Sequence, residues 1–154
     1  ATALDPTVVI AVSGATLAEV RIKLDDDMEG FIAHPIRLTT DDGLSQARQL
    51  LQSAARARPA GPRLRRQTDQ LAAFISVARI PVDLVIESDR ETDVTIYKVS
   101  NLGRIASESM TLAPGAYTVV GKRRGYRDVR HELTLLGGQP PATLYVACNE
   151  KVQP

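Results

Sequence analysis

The chain of 154 residues has no tryptophan, two phenylalanines, four tyrosines, two histidines and one cysteine, and each shortage excludes something. A lone cysteine, Cys148, forbids an intrachain disulfide and leaves the redox compartment open; at an alternating position of a strand-like run it is expected to be a buried, inert thiol. So few aromatics argue against a base-stacking platform and against the aromatic clefts that hold sugars by stacking. His34, His131 and Cys148 show no local ligand spacing, so no metal site is expected of them. Neither Ser13 nor Ser107 sits in a G-x-S-x-G elbow, and Gly121-x-x-x-Gly125 lacks the Lys-Ser/Thr end of a phosphate-cradling loop. Asp25-Asp26-Asp27 with Glu29 lacks the alternating ligands of an EF-hand and reads as a solvated acidic loop. No apolar run approaches the roughly 18 residues of a membrane span. No enzymatic activity, cofactor or metal is expected from these residues.

What is present is enough apolar material for a core, 44% of residues, at a net charge of +1 that is unevenly spread. Residues 1–45 carry eight acids and three bases, residues 46–79 one acid and seven arginines, and residues 80–154 nine of each. A basic segment without stacking residues does not make a nucleic-acid stripe. The first residues, Ala1-Thr-Ala-Leu-Asp-Pro6, lack an initiator Met and fit a piece trimmed from an upstream anchor or signal.

Periodicity separates three regions. Residues 1–40 read as an N-terminal β-strand region: Thr7–Val12 is rich in β-branched residues, Ala18, Val20, Ile22 and Leu24 alternate with charged residues, and Phe31–Leu38 is a third candidate, kept to an edge by Pro35. Residues 41–79 read as an αα-hairpin. Thr40 or Asp41 caps the first helix, and Leu44, Ala47, Leu51 and Ala54 give its apolar face. Pro59-Ala-Gly-Pro62 breaks the pattern, with Pro62 as first residue of a second helix carrying Leu64, Thr68, Leu71, Ile75 and Ala78. Residues 80–150 alternate in short runs, 82–87, 94–99, 116–122, 129–135 and 144–148, with Met110 and Leu112 leading into Pro114-Gly115. Turns are expected at Asn101-Leu-Gly103, at Pro114-Gly115 with Gly115 at positive φ, at Gly125-Tyr126 and at Gly137-Gly-Gln-Pro-Pro141. Residues 151–154 are left as a tail.

Leu112-x-Pro114-Gly115-x-Tyr117-x-Val119, then Gly125-Tyr126, Leu133, Leu135, Gly137-Gly138 and Leu144-x-Val146 resemble, over residues 81–148, the PEGA family of small β-sandwich modules in bacterial envelope proteins. The Pro-Glu-Gly-Ala turn that names the family is replaced here by Ser88-Asp-Arg-Glu-Thr-Asp93. The resemblance implies an extracytoplasmic or periplasmic setting, membrane-tethered by a segment outside this chain, beside other domains, with no catalytic residues to carry over. The expected fold class is α+β: a C-terminal antiparallel, PEGA-like β-sandwich with an N-terminal β region and an αα-hairpin.

Two basic constellations are candidate sites. Lys122, Arg123, Arg124 and Arg127 crowd four cations into six residues at a turn, where mutual repulsion invites an anionic partner such as phosphate, lipid headgroups or acidic glycan. Arg56, Arg58, Arg63, Arg65 and Arg66, with Arg48 nearby, surround the hairpin tip and suit an acidic partner. The function expected is a non-catalytic envelope assembly or protein-binding module, with a glycan- or peptidoglycan-binding module as the alternative. The partner is a protein or a cell-envelope polymer, not a nucleic acid.

Overall fold

The structure, a computed structural model, describes residues 6–57 and 59–152, and of residues 6–15 the backbone alone. It is α+β, with three helices and two mostly antiparallel sheets, and divides into two compact units, Ala1–Ser76 and Val77–Pro154.

The helical unit opens with α1 (Pro6–Ala33), 28 residues long. This corrects the strands expected over residues 7–40. Alternation over a few residues fits a strand, but the longer register is helical: Leu24, Met28 and Phe31, at i, i+4 and i+7, are buried. Asp26 and Asp27 lie between these positions and point outward, so the acidic run is a helix face rather than a loop. Pro35, expected on an edge strand, instead starts a single 3-10 turn, Pro35–Thr39, that buries Leu38. Burying Met28 and Phe31 contributes about 1.5–3 kcal/mol each.

Both helices expected over 41–79 are present, as α2 (Asp41–Arg56) and α3 (Pro62–Val77). Thr40 is the N-cap of α2, its hydroxyl accepting from the Gly43 N–H at 3.1 Å. Leu44, Ala47 and Ala54 are buried on one face of α2, and Leu64 and Leu71 on one face of α3. The common neighbour is α1. It packs along α2, and Gln67, on the buried face of α3, donates to the Glu29 carboxylate at 3.1 Å.

The second unit holds seven strands: β1 (Val82–Ser88), β2 (Asp93–Ile96), β3 (Ser100–Arg104), β4 (Ser107–Leu112), β5 (Gly115–Lys122), β6 (Val129–Leu135) and β7 (Ala142–Val146). One sheet runs β4-β1-β7, with β1 antiparallel to β4 and parallel to β7; the other runs β3-β2-β5-β6 and is antiparallel throughout. Alternation puts Leu84 and Ile86 of β1 and Val146 of β7 against Val94 and Ile96 of β2 and Val119 of β5, so both sheets share one core.

Two turns differ from expectation. Asn101-Leu-Gly103 is not a hairpin turn but part of β3, where the register slips between Val94 and Thr95 as a β-bulge and Gly103 takes φ +69°. The turn itself is Tyr97-Lys98-Val99, with Lys98 at φ +61°. Gly115 is not at positive φ either: it opens β5, pairs with Leu135, and lies beneath the ring of Tyr117, whose hydroxyl donates to the Ala113 carbonyl at 2.7 Å. The Gly125 turn does take positive φ, +82°. The expected tail is partly engaged, since Lys151 pairs with Tyr126 and the Val152 N–H donates to the Gly125 carbonyl at 3.0 Å.

Candidate functional site

The turn after β5 gathers most of the polar chemistry of the β unit. It meets the β1–β2 loop, Asp89–Thr92, which is organised by one carboxylate. Asp89 Oδ1 accepts from the N–H groups of Glu91 at 2.9 Å and Thr92 at 2.7 Å; Oδ2 accepts from the Thr92 hydroxyl at 3.1 Å. Thr92 is fully buried, and its hydroxyl also accepts from the Cys148 N–H at 3.0 Å. Cys148 is buried as expected, its thiol donating to the Gly121 carbonyl at 3.3 Å. Burial of the Asp89 carboxyl opposes its ionisation. The N–H donors of Thr92 and Glu91, the Thr92 hydroxyl and the Arg123 guanidinium outweigh that effect and hold it below the ordinary carboxylate value.

This geometry accounts for three of the four cations expected to repel one another. Arg123 lies 3.5 Å from Asp89 Oδ2, also pairs with Glu91, and stacks on the Tyr126 ring at 4.1 Å from its centroid. Arg127 reaches Glu150 at 3.3 Å, and their backbones are joined by an N–H to carbonyl bond of 2.7 Å. Lys122 faces Asp128 at 3.9 Å. Arg124 is exposed and has no ion pair among the described residues. The premise of unrelieved repulsion is thus corrected. Acids distant in sequence come to the turn, and the constellation ties the β1–β2 loop, the β5–β6 turn and residues 148–152 together. Asp89, Glu91 and Glu150 went unread in the sequence. The one available signal was Asp89-x-x-Thr92, a turn in which the carboxylate receives its own loop's N–H groups.

The second basic set is spread along the helical unit. Arg48 and Arg56 are exposed on α2, and Arg63, Arg65 and Arg66 are exposed at the start of α3; Arg58 lies outside the described residues. The first turn of α3 contains no acid, so three cations stand at the positive end of that helix, where each is disfavoured.

Reading the sequence for charge missed the apolar feature beside them. Leu17, Val20 and Ile22 of α1 are 68%, 66% and 60% exposed, although Leu24, Met28 and Phe31 further along the same helix are buried. An open groove of about 610 Å³ runs between this part of α1 and the C-terminal half of α2. The Arg21 guanidinium donates to the Pro59 carbonyl at 2.9 Å, tying α1 to the α2–α3 loop at one end of it.

Among the described residues no three His, Cys, Asp or Glu side chains come together as a metal-binding group, and no helix is long and apolar enough to cross a membrane. No protein-family model matches the chain, and a comparison with curated proteins finds no match.

Proposed function

We propose that this chain is a non-catalytic assembly or protein-binding module of a bacterial envelope protein, with a PEGA-like β-sandwich and a helical unit that offers the docking surface. The tether and the extracytoplasmic setting belong to this proposal. The observation that carries the binding role is the exposure of Leu17 and Val20, one turn apart on one face of α1 and both lining the open groove beside α2. A contiguous apolar patch left in water on a regular element is the mark of a surface that another molecule covers. The PEGA likeness is supported by where its residues fall: Leu112 closes β4, Tyr117 and Val119 lie on β5, Leu133 and Leu135 on β6, and Leu144 and Val146 on β7. The non-catalytic part is supported by the pairing of three of the four cations at the β5–β6 turn, Lys122 with Asp128, Arg123 with Asp89 and Arg127 with Glu150. The glycan-binding alternative gains nothing from the exposed Tyr97 and Tyr145, which are attached to different sheets.

The test is a photo-crosslinking amino acid placed at Val20 of the full-length protein in living bacteria, with Gln70, exposed on α3, as the control position. A discrete protein adduct from Val20 and none from Gln70 is the expected result. The same smear from both positions, or nothing from either, would contradict the binding role. Turnover of a cell-wall or ester substrate that is lost in His131→Ala would contradict the non-catalytic role.

A further inference from the structure

We infer that the groove between α1 and α2 seats an acidic amphipathic helix of a partner protein; this rests on the protein-binding role proposed above and specifies its occupant. The groove has two ridges with the same spacing, apolar except at Ser53. On α1 they are Leu17, Val20 and Leu24; on α2 and its C-cap they are Leu50, Ser53 and Ala57. Both sets follow i, i+3, i+7, the spacing at which side chains of one helix face interlock with those of another. An extended segment repeats every second residue and would meet these ridges out of step, whereas a helix laid along the groove meets both in register.

Charge chooses the kind of helix. The groove walls carry Arg21, Lys23 and Arg56 against a single acid, Asp27. A basic helix would meet cations on both walls, and an uncharged one would leave them unmatched. An apolar stripe flanked by Glu or Asp satisfies the floor and the rim together.

The probe is a fluorescein-labelled synthetic peptide of about six turns, with Leu at the two seam positions of each heptad and Glu at the flanking positions. A second peptide carries Lys in place of Glu. Fluorescence anisotropy with the whole chain should give at least about tenfold tighter binding of the Glu peptide, weakened by salt. Val20→Asp should abolish that binding. Arg56→Glu should lower the preference for Glu over Lys, and Arg104→Ala, in the β unit, should change nothing. Val20, Arg56 and Arg104 are all exposed, so circular dichroism should show all three variants folded.

Equal binding of both peptides, or no dependence on Val20, overturns the inference. Sedimentation showing a dimer of this chain that Val20→Asp dissolves would assign the groove to a second copy and overturn it too. So would flotation with phosphatidylcholine–phosphatidylglycerol vesicles that Val20→Asp abolishes, which would assign it to a lipid surface. If the cellular adduct at Val20 persists while the peptides fail, the occupant is wrong and the binding role stands; if both fail, the role itself falls.

Discussion

Gly121 is the residue at which one added methyl group would be felt most. A Cβ there would lie 2.8 Å from side-chain carbons of Thr92, Val129 and Val146, all closer than real contacts allow. Gly121→Ala is expected to cost about 1–3 kcal/mol through overpacking. Gly115→Ala, whose Cβ would meet the Tyr117 ring at an ordinary 3.7 Å, should change the stability by less than about 1 kcal/mol. Paired thermal melts of the two variants check this, and equal losses would mean that the close approach at Gly121 is misplaced. From the sequence the two glycines were easily confused, because Pro-Gly announces a turn while Gly121 sits unannounced in a strand. Asp89 offers a second test at this scale. Its folded carboxyl ionises more readily than the ordinary value of 3.8. The stability it adds is therefore complete above that value and is lost as pH falls through the lower folded value. Asp89→Asn should be destabilised at neutral pH, and its deficit against wild type should close as urea melts are taken below about pH 3.8. A deficit that is the same at every pH would remove the ionised carboxylate from the account.

At the scale of elements, α1 is where the sequence and the structure part. The run Ala18, Val20, Ile22, Leu24 keeps period two for seven residues, and β-branched residues precede it, so a strand was the local reading. The helix becomes evident only when Leu24, Met28 and Phe31 are counted with the absence of proline between Pro6 and Pro35. Three of the four apolar residues that produced the strand pattern, Ala18, Val20 and Ile22, are exposed, so burial did not enforce their spacing. The ends of α2 and α3 were legible because their signals are local: a threonine cap at Thr40 and a proline at the first position, Pro62. Leu71, fully buried on α3, should cost about 2–5 kcal/mol as Leu71→Ala. The arginines of the same helix should behave in the opposite sense. Arg65→Glu places a negative charge in the first turn and is expected to stabilise by about 0.3–1 kcal/mol, measured by thermal melting at low salt. A loss of stability would mean that Arg65 is matched by a charge the fold supplies.

For the whole molecule, the β unit was the more legible half. Its strands are short and half buried, so each shows alternation, and turn residues lie between them. What alternation cannot give is which strands pair. That β1 sits between β4 and a parallel β7, and that Glu150 and Asp89 reach the basic turn, follow from contacts far apart in sequence. The same long-range contacts make residues 77–154 a compact unit with its own core. A fragment of those residues should retain a β-type spectrum and unfold cooperatively. The claim on which the account rests is that the apolar end of α1 is covered when the protein is at work. Val20→Cys and Gln70→Cys in the full-length protein, with any cysteine outside these 154 residues replaced by serine, measure this directly, because Cys148 is fully buried and stays silent. Both engineered thiols should react with maleimide at similar rates in the purified chain. In spheroplasts Val20→Cys should be slowed by about tenfold or more while Gln70→Cys is unchanged; equal reactivity of Val20→Cys in the two settings would show that face bare and contradict the account.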